Sequence, residues 1–479
     1  MQSGGLQRQG SRLGNIRVRR GRRRTQTIDV ERVPVRRPRR IGVLALIVGF
    51  LVLIAAGTAL LSLPIASDDQ QRAPFMRALF TATSAVCVTG LVVVDTRDHW
   101  SGFGEAVILL LIQLGGLGFM TSATLLLMVL RRRISMGAQV TAASTAGQFG
   151  SLSARELIRR IALATLAIEA VGVLVMLGAF TLHEGTLTAG HAWRALFTAV
   201  SAFNNAGFDI EGGGRSLIGH ADTPLVPAVV LVLMVLGGLG YAVWADVWQH
   251  RRWRRLQMNT KIVLTTTTAL TVLGTALIFV NEALTPGALT GVSVLDAGAI
   301  STFESVFART SGFSVMDLSA ANEETLLGIM GLMFVGGASA STAGGIKMNT
   351  FTVLLFAIIA SVRGDEHAHA FGREIGWRQI NRALAVALLA VAAVVGATFL
   401  LALTTDAPLV PVMFEVVSAF ATCGLSTGLT GALDNASQGI VIVVMFVGRL
   451  GPLTFALALA ERFERSERVR YPEAEINIG

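Results

Sequence analysis

Four glycine-centred stretches recur along this chain, and their residue types suit the binding of a dehydrated cation. They read S-A-V-C-V-T-G-L, S-A-F-N-N-A-G-F, F-A-R-T-S-G-F and S-A-F-A-T-C-G-L, centred on Gly90, Gly207, Gly312 and Gly424. Successive glycines lie 117, 105 and 112 residues apart, and so regular a period indicates an internal repeat. Glycine lets consecutive backbone carbonyls point the same way, and a ring of carbonyls can replace the hydration shell of an alkali cation.

We predict that the three residues ending at each glycine form one quarter of a cation-selective constriction. An ordinary turn at each glycine is the alternative, but each stretch follows a short amphipathic segment and precedes a long apolar one. A short helix that enters a membrane must return as extended backbone, which has to line water or protein because lipid cannot satisfy it. The predicted filter residues are Val88, Thr89, Gly90, Asn205, Ala206, Gly207, Thr310, Ser311, Gly312, Thr422, Cys423 and Gly424.

A second motif follows each glycine stretch and predicts a gate below the constriction. It reads L-G-G-L-G-F (114–119), L-G-G-L-G-Y (236–241), V-G-G-A-S-A (335–340) and V-G-R-L-G-P (447–452). Close helix packing is the alternative reason for these glycines. The third copy continues as G-G-A-S-A-S-T-A-G-G (336–345), which is too polar for a lipid-facing helix and predicts a loop inside the membrane; a simple helix kink is the alternative.

The fourth copy carries Arg449 where the others carry glycine, and a charge at membrane depth normally faces a cavity or a partner. We predict that it faces the pathway; a salt bridge with Asp246 or Glu169 is the alternative. The predicted gate residues are Gly336, Gly337, Ser339, Ser341, Thr342, Gly344, Gly345, Lys347 and Arg449. Glu304 and Glu415 are predicted to bond filter backbone, and Asp95 is either part of a cation-attracting outer mouth or a solvated loop acid.

The elements that position these residues are membrane helices. The 479-residue chain is 52% apolar and only 15% charged, with mean hydropathy +0.62, and apolar runs of about 18 residues or more predict spans. We predict an all-α polytopic membrane protein, with four helix–pore-helix–helix repeats around one pseudo-fourfold pore. The eight predicted spans cover 41–63, 103–130, 161–182, 225–248, 262–280, 326–360 (interrupted at 336–345), 383–403 and 440–460.

The repeats are predicted at 41–135, 136–255, 256–370 and 371–460, between an Arg-rich tail (1–40) expected to be disordered and a C-terminus (461–479). The net charge of +9 comes almost wholly from arginines clustered at the termini and between repeats. The positive-inside rule therefore puts both termini in the cytoplasm, with membrane lipids rather than nucleic acid as the partners of this charge. Cys87 and Cys423 are predicted to be small wall residues of the filter rather than a disulfide.

The residues resemble the Trk/Ktr/HKT superfamily of potassium transporters. The resemblance rests on T-S-A-V-C-V-T-G-L-V-V-V-D-T, A-F-N-N-A-G-F, the 336–347 stretch ending G-G-I-K, and M-F-V-G-R-L-G-P-L-T, and it covers about 41–479. Within the superfamily the chain is most similar to the membrane subunits of bacterial Ktr systems, the KtrB type. An arginine tail stands where the Trk type has two further spans.

The resemblance implies potassium uptake across the bacterial inner membrane through a pore with one constriction glycine per repeat. It implies that 336–345 is a gating loop beside Arg449, and that Gly90 favours potassium over sodium. It also implies a homodimer on a cytosolic ring of RCK subunits (KtrA-like) that bind ATP or ADP. No cofactor is expected on this chain, and a sodium dependence stays open.

Two other functional classes stay open on the residues alone. A sodium-selective or sodium/potassium-coupled member of the same superfamily is the first. A proton-coupled carrier or an intramembrane enzyme is the second, although only Glu169 and Asp246 could relay protons and neither H-E-x-x-H nor G-x-S-x-G occurs. The chain is therefore predicted not to be an enzyme.

Overall fold

The computed structural model describes residues 14–20, 24–30, 41–131, 154–185, 188–220 and 224–451. The chain divides into two compact units, Met1–Gly42 and Val43–Gly479. In the first, β1 (Gly14–Arg20) pairs antiparallel with β2 (Arg24–Val30). The expectation that the tail as a whole is disordered stays a prediction. The rest of the tail, 132–153, 452–460 of the last predicted span and the C-terminus lie outside the described residues.

The second unit is helical, and its first half contains two copies of one plan. A long helix is followed by a short one, a glycine-containing loop and a second long helix. The first copy is α1 (Ile41–Leu61), α2 (Phe75–Cys87) and α3 (Gly102–Arg131). The second is α4 (Ala154–Glu184), α5 (Ala189–Asn204), α6 (Leu225–Leu239) and α7 (Tyr241–His250).

The second half repeats the plan with one interruption. The third copy is α8 (Met258–Ile278), α9 (Val294–Thr310), α10 (Glu323–Phe334) and, after an irregular segment, α11 (Met348–Arg363). The fourth is α12 (Trp377–Ala402), α13 (Leu409–Ala421) and α14 (Asn435–Leu450). A hairpin of β3 (His369–Ala370) and β4 (Arg373–Glu374) joins the third copy to the fourth.

Not every predicted span is one straight helix. Four helices of the described chain are long and apolar enough to cross a membrane, and α6 with α7 would make a fifth. The predicted span 225–248 is two helices rather than one, because α6 and α7 meet at 94°. Gly240 lies between them at φ +76° and ψ 156°, a conformation that glycine tolerates and that ends the helix. The count of eight spans stays a prediction.

Packing between the copies is cyclic. Each short helix contacts the long helix that follows it in its own copy, and also the corresponding long helix of the preceding copy. Thus α2 packs on α3 and α14, α5 on α6 and α3, α9 on α10 and α6, and α13 on α14 and α10. The C-terminal halves of α2, α5 and α13 are largely buried.

Candidate functional site

The short helices end in a reversal of the backbone just before each glycine. Val88, Asn205 and Thr422 adopt left-handed conformations with φ of 56°, 60° and 48°, and each lies two residues before its glycine. The third copy differs, since Ser311 after α9 has φ −146°. In all four copies the chain leaves the helix end as irregular backbone.

The four glycines contact one another in a closed ring, which we call the glycine ring. A Cβ atom placed on Gly90 would lie 3.2 Å from the Cα of Gly207, and one on Gly207 would lie 2.7 Å from the Cα of Gly312. Similarly, a Cβ on Gly312 would lie 2.8 Å from the Cα of Gly424, and one on Gly424 would lie 3.0 Å from the Cα of Gly90. Residues separated by more than a hundred positions therefore meet around one centre, and no side chain fits between them.

Three serines that the sequence analysis overlooked hold the ring loops. Ser84 and Ser418 each accept a hydrogen bond at Oγ from the glycine six residues later, Gly90 at 3.1 Å and Gly424 at 3.0 Å. Ser201, also six residues before its glycine, donates from Oγ to the Phe208 carbonyl at 2.6 Å. The spacing S-A-x₄-G in copies one, two and four was the available signal.

Glu304 and Glu415 bond backbone amides three residues beyond their ring glycines, rather than the predicted filter residues themselves. Glu304 accepts from Val315 N at 3.1 Å, and Glu415 accepts from Thr427 N at 3.0 Å. Both carboxyl groups are fully buried. They fix the outer ends of the third and fourth loops.

A cavity of about 420 Å³ opens on one side of the glycine ring and includes all four glycines in its wall. Asp95, Asp209 and Asp317 also line it. The Asp95 carboxylate accepts hydrogen bonds from Arg97 N at 2.8 Å and from Gly214 N at 2.7 Å, so it also ties the first loop to the second. Asp95 therefore belongs to the mouth of this cavity.

In three of its four copies, the second glycine motif packs directly on the end of a short helix. A Cβ on Gly115 would lie 2.9 Å from the Val86 carbonyl carbon, one on Gly237 3.0 Å from that of Phe203, and one on Gly448 2.7 Å from that of Phe420. Close packing, the alternative offered by the sequence, thus accounts for these glycines. It brings the long helices against the carbonyl ends of α2, α5 and α13.

The third motif belongs to the irregular segment between α10 and α11, residues 335–347, which we call the inner loop. Val335 and Ile346 form a parallel bridge at its neck, where Gly336 N donates to Ile346 O at 2.9 Å. A Cβ on Gly344 would lie 2.8 Å from the Ala421 carbonyl oxygen, at the end of α13. The inner loop therefore lies against the ring segment of the fourth copy, and Gly336, Gly337, Ser339, Ser341, Thr342, Gly344, Gly345 and Lys347 are brought together in it.

Arg449 reaches the inner loop from α14. It is 1% exposed and donates from Nη1 to the Thr342 carbonyl and from Nη2 to that of Gly115 at 3.5 Å. Its guanidinium carbon lies 4.7 Å from the ring centroid of Phe119, and Lys347 Nζ lies 5.2 Å from the same centroid. Two cations thus share one aromatic ring beside the inner loop, which the sequence did not indicate.

The predicted alternative, a salt bridge from Arg449 to Asp246 or Glu169, is wrong for the described chain. Asp246 pairs with His250 Nδ1 at 2.9 Å, and Glu169 accepts from Gln113 Nε2 at 3.0 Å. Arg449 instead rests on carbonyls and an aromatic face, so its positive charge is not neutralised by a carboxylate within the described residues.

A second buried arginine, Arg309, was overlooked although it immediately precedes the third filter stretch. It is 4% exposed and bonds Thr271 Oγ1 at 3.2 Å, while its Nε finds no partner among the described residues. It lines a crevice of about 20 Å³ between α6, α8 and α9, large enough for about one water molecule. The charged residue within F-A-R-T-S-G was the feature of the sequence that could have identified Arg309.

Cys87 and Cys423 are both free and buried. Cys423 Sγ donates to the Ala308 carbonyl at 3.1 Å, which joins the fourth loop to the end of α9. Gly312 N donates to the Cys423 carbonyl, so the third and fourth ring segments are also joined through backbone.

Comparison with known proteins agrees with this architecture. Residues 35–470 match the family model "TrkH: Cation transport protein". The Ktr system potassium uptake protein B of Bacillus subtilis is 38% identical over 434 residues, covering 91% of this chain and 96% of the relative. The potassium/sodium uptake protein NtpJ of Enterococcus hirae is 34% identical over 440 residues, covering 90% and 96%.

The crystal structure of the potassium transporter TrkH from Vibrio parahaemolyticus has a similar fold, with a TM-score of 0.71 at 17% identity over 91% of this chain and 88% of that one. The relatives are named as transporters, in agreement with the prediction that this chain is not an enzyme. The chain therefore belongs to the TrkH family of cation transport proteins, which confirms the Trk/Ktr/HKT resemblance seen in its sequence.

Proposed function

We propose that this chain is the ion-translocating membrane subunit of a potassium uptake system, and that potassium passes through the glycine ring. The observation that carries the proposal is the ring itself: four glycines from four copies of one plan close on one another at the wall of a polar cavity. Only backbone can approach so closely, and backbone carbonyls are the ligands that suit a dehydrated alkali cation.

The twelve predicted filter residues then supply the coordinating carbonyls. The short helices aim their C-terminal ends at the ring, and the negative end of a helix dipole favours a cation there. The aspartates of the outer cavity raise the local cation concentration. Gly90 at the first position favours potassium.

The inner loop, with Lys347 and Arg449, forms the gate in this proposal. The loop lies against the end of α13, and Arg449 fastens it through the Thr342 carbonyl. An uncompensated buried charge beside the path opposes a cation, so the loop and the arginine must move or be screened for ions to pass.

The proposed topology has eight spans in a bacterial inner membrane, with both termini and the loops between copies in the cytoplasm. The proposed assembly is a homodimer on an RCK-type cytosolic ring, which would bind ATP or ADP and control the gate. The relative from Bacillus subtilis is named as part of a Ktr system, and this supports a second component.

Potassium flux into vesicles containing the purified chain, with and without such a ring, tests the proposal. We expect uptake of potassium and rubidium driven by membrane potential, competed weakly by sodium. The name of NtpJ supports one alternative, a sodium-coupled or sodium-conducting transporter. Potassium flux that depends on a sodium gradient, or sodium flux that saturates at concentrations similar to those of potassium, would favour the alternative.

A further inference from the structure

The break at Gly240 turns the second copy's long helix across the molecule. The helix before the break, α6, has 15 residues, which corresponds to about 22 Å and is shorter than the roughly 30 Å hydrocarbon core. The helix after the break, α7, leaves at 94°. If α6 stands across the membrane, α7 runs along its surface, and α8 returns from there with 21 residues.

The segment 241–257, which we call the arm, carries exposed aromatic and basic side chains. Trp248 is 77% exposed and Trp253 is 49% exposed. The guanidinium of Arg251 lies 5.5 Å from the Trp248 ring centroid. Four arginines of the arm are exposed, Arg251, Arg252, Arg254 and Arg255. Tryptophan prefers the membrane interface, and clustered arginines beside it complement anionic headgroups.

Buried contacts make the arm stiff. Asp246 is 1% exposed, and its carboxylate accepts from Gln257 N at 2.9 Å and contacts His250 Nδ1 at 2.9 Å. Trp244 Nε1 donates across the break to the Leu236 carbonyl at 2.8 Å. A displacement of the arm is therefore transmitted to the end of α6.

The end of α6 is also what holds the inner loop. Because the helix stops at Gly240, its last carbonyls are free to accept from the loop: Gly238 O accepts from Ala338 N at 3.0 Å, and Gly237 O accepts from Thr342 N at 3.4 Å. A Cβ on Gly240 would lie 3.0 Å from the Ala340 carbonyl oxygen. The bend at Gly240 therefore connects the arm to the inner loop, which Arg449 also contacts.

We propose that the arm binds anionic lipid headgroups at the cytoplasmic surface and that this binding holds the inner loop in place. The regulatory half of this inference rests on the proposed function, in which the inner loop is the gate. The aromatic and basic side chains are exposed while the inner loop is hydrogen-bonded to α6. In this proposal headgroups bind the arm in this position more tightly than after it has moved with α6, and this difference in affinity favours the conformation that holds the loop. Anionic lipid therefore lowers potassium flux.

Tryptophan quenching by brominated lipid tests the binding without any transport. The full chain is reconstituted in phosphatidylcholine vesicles containing a quarter brominated phosphatidylglycerol, or a quarter brominated phosphatidylcholine. The part of the quenching that disappears in the variants Trp248→Phe and Trp253→Phe is the part that comes from the arm. We expect it to be at least about twofold stronger with the anionic lipid, and to fall to the phosphatidylcholine level in R254Q/R255Q. Equal quenching by both lipids would overturn the proposal.

Flux in the same vesicles tests the coupling. R254Q/R255Q should raise potassium flux about threefold in anionic vesicles and leave it unchanged in pure phosphatidylcholine. The matched control R378Q/R382Q removes two exposed arginines at the start of α12 and should keep the lipid dependence of the wild type. Gly240→Ala, if it folds, should keep anionic quenching but lose the lipid dependence of flux.

The outcomes separate this inference from the proposed function. Anionic quenching with no potassium flux in any vesicle would remove the proposed function and leave the lipid site standing. Flux that responds to lipid equally in R254Q/R255Q and in the wild type would overturn the coupling through the arm. If anionic lipid does not quench the arm tryptophans and an acidic cytosolic protein protects them from a water-soluble quencher, the arm binds protein and the lipid proposal is wrong.

Discussion

Gly312 lies in the glycine ring with the Cα of Gly424 only 2.8 Å from the place where a side chain would begin. Its φ is not in the left-handed region, so the cost of a substitution here is steric rather than conformational. Overpacking of this kind costs about 1–3 kcal/mol, and 1.4 kcal/mol corresponds to about tenfold in affinity.

We therefore expect Gly312→Ser to raise the KM for potassium about tenfold and to weaken discrimination against sodium, measured as competition in rubidium uptake. Gly298→Ser is the matched control, because Gly298 lies on α9, the short helix that precedes Gly312, with open space at its Cβ position. A selective Gly312→Ser variant with wild-type KM would contradict the role of the ring.

Arg449 carries a buried charge that carbonyls and an aromatic face support but no carboxylate neutralises within the described chain. At an effective dielectric of about 20, a unit charge within about 15 Å of an ion contributes about 1 kcal/mol. Arg449→Ala should therefore increase potassium flux roughly fivefold in vesicles. Arg363→Ala, which removes an exposed arginine at the end of α11, serves as control. Unchanged or reduced flux in Arg449→Ala would count against the barrier.

At the scale of elements, Glu169 joins α4 to α3 and α5 through side-chain hydrogen bonds. It accepts from Gln113 Nε2 at 3.0 Å and from Asn204 Nδ2 at 3.1 Å, and Asn204 is the last residue of α5 before the second ring segment. Asn204 Nδ2 also donates to Gln113 Oε1 and to the Val200 carbonyl, so the donor that depends on Glu169 is Gln113 Nε2. A donor left unsatisfied in the interior costs about 1–3 kcal/mol.

Glu169→Leu should lower the melting temperature in detergent by about 2–8 °C, and Glu169→Gln, which keeps one acceptor, should lower it less. Glu156→Leu on the same helix is the control, since Glu156 forms surface ion pairs with Arg159 and Arg160, and such pairs contribute little. Equal melting temperatures for the two leucine variants would refute the bracing role of Glu169.

The loop after α5 is braced by Glu211, which pairs with Arg194 and contacts His220 Nε2 at 3.1 Å. Burial by itself raises the pKa of this carboxyl, but hydrogen bonds from His220 and Arg194 outweigh it and hold the pKa below its ordinary value. A depressed folded-state pKa stabilises the fold above the unfolded value of about 4.3, and this stability is lost as pH falls through the folded value.

We therefore expect Arg194→Gln to lower the melting temperature most near pH 6–7, with the difference from wild type shrinking below about pH 4. Arg215→Gln, an exposed arginine in the same loop, should show no such convergence. A destabilisation by Arg194→Gln that is the same at pH 3.5 and pH 6.5 would mean that packing, rather than this ion pair, is the main contribution of Arg194.

At the scale of the whole molecule, each short helix packs on the long helices of two copies, so the ring cannot form until all four copies are assembled. An ion bound there should stabilise the whole fold. A ligand at a hundred times its Kd adds about 2.7 kcal/mol. We expect potassium and rubidium, but not lithium or choline, to raise the melting temperature, and Gly312→Ser to abolish the rise. Equal stabilisation by all four cations would exclude a selective site.

The sequence by itself determined the family, the helical membrane class and the four-copy plan, because each of these is encoded by short stretches of consecutive residues. Apolar runs, short amphipathic segments and glycine positions each depend on residues near one another in the chain. A short amphipathic segment was accordingly predicted before each glycine stretch, where a short helix lies in each copy, and the polar stretch 336–345 was correctly placed between two helices. The motif around Gly240 did not reveal the break in the second copy, because the same sequence L-G-G-L-G continues the helix in α3 but ends α6.

Only the tertiary structure decided which residues meet. The partner of Arg449 is a carbonyl 107 residues away, and the glycine ring joins positions separated by more than a hundred residues. Such contacts depend on how the four copies pack around one another, and one chain's pattern of residues does not specify that packing pair by pair. For the same reason the serines behind the ring, the brace at Glu169 and the hold of α6 on the inner loop became visible only once the helices were assembled.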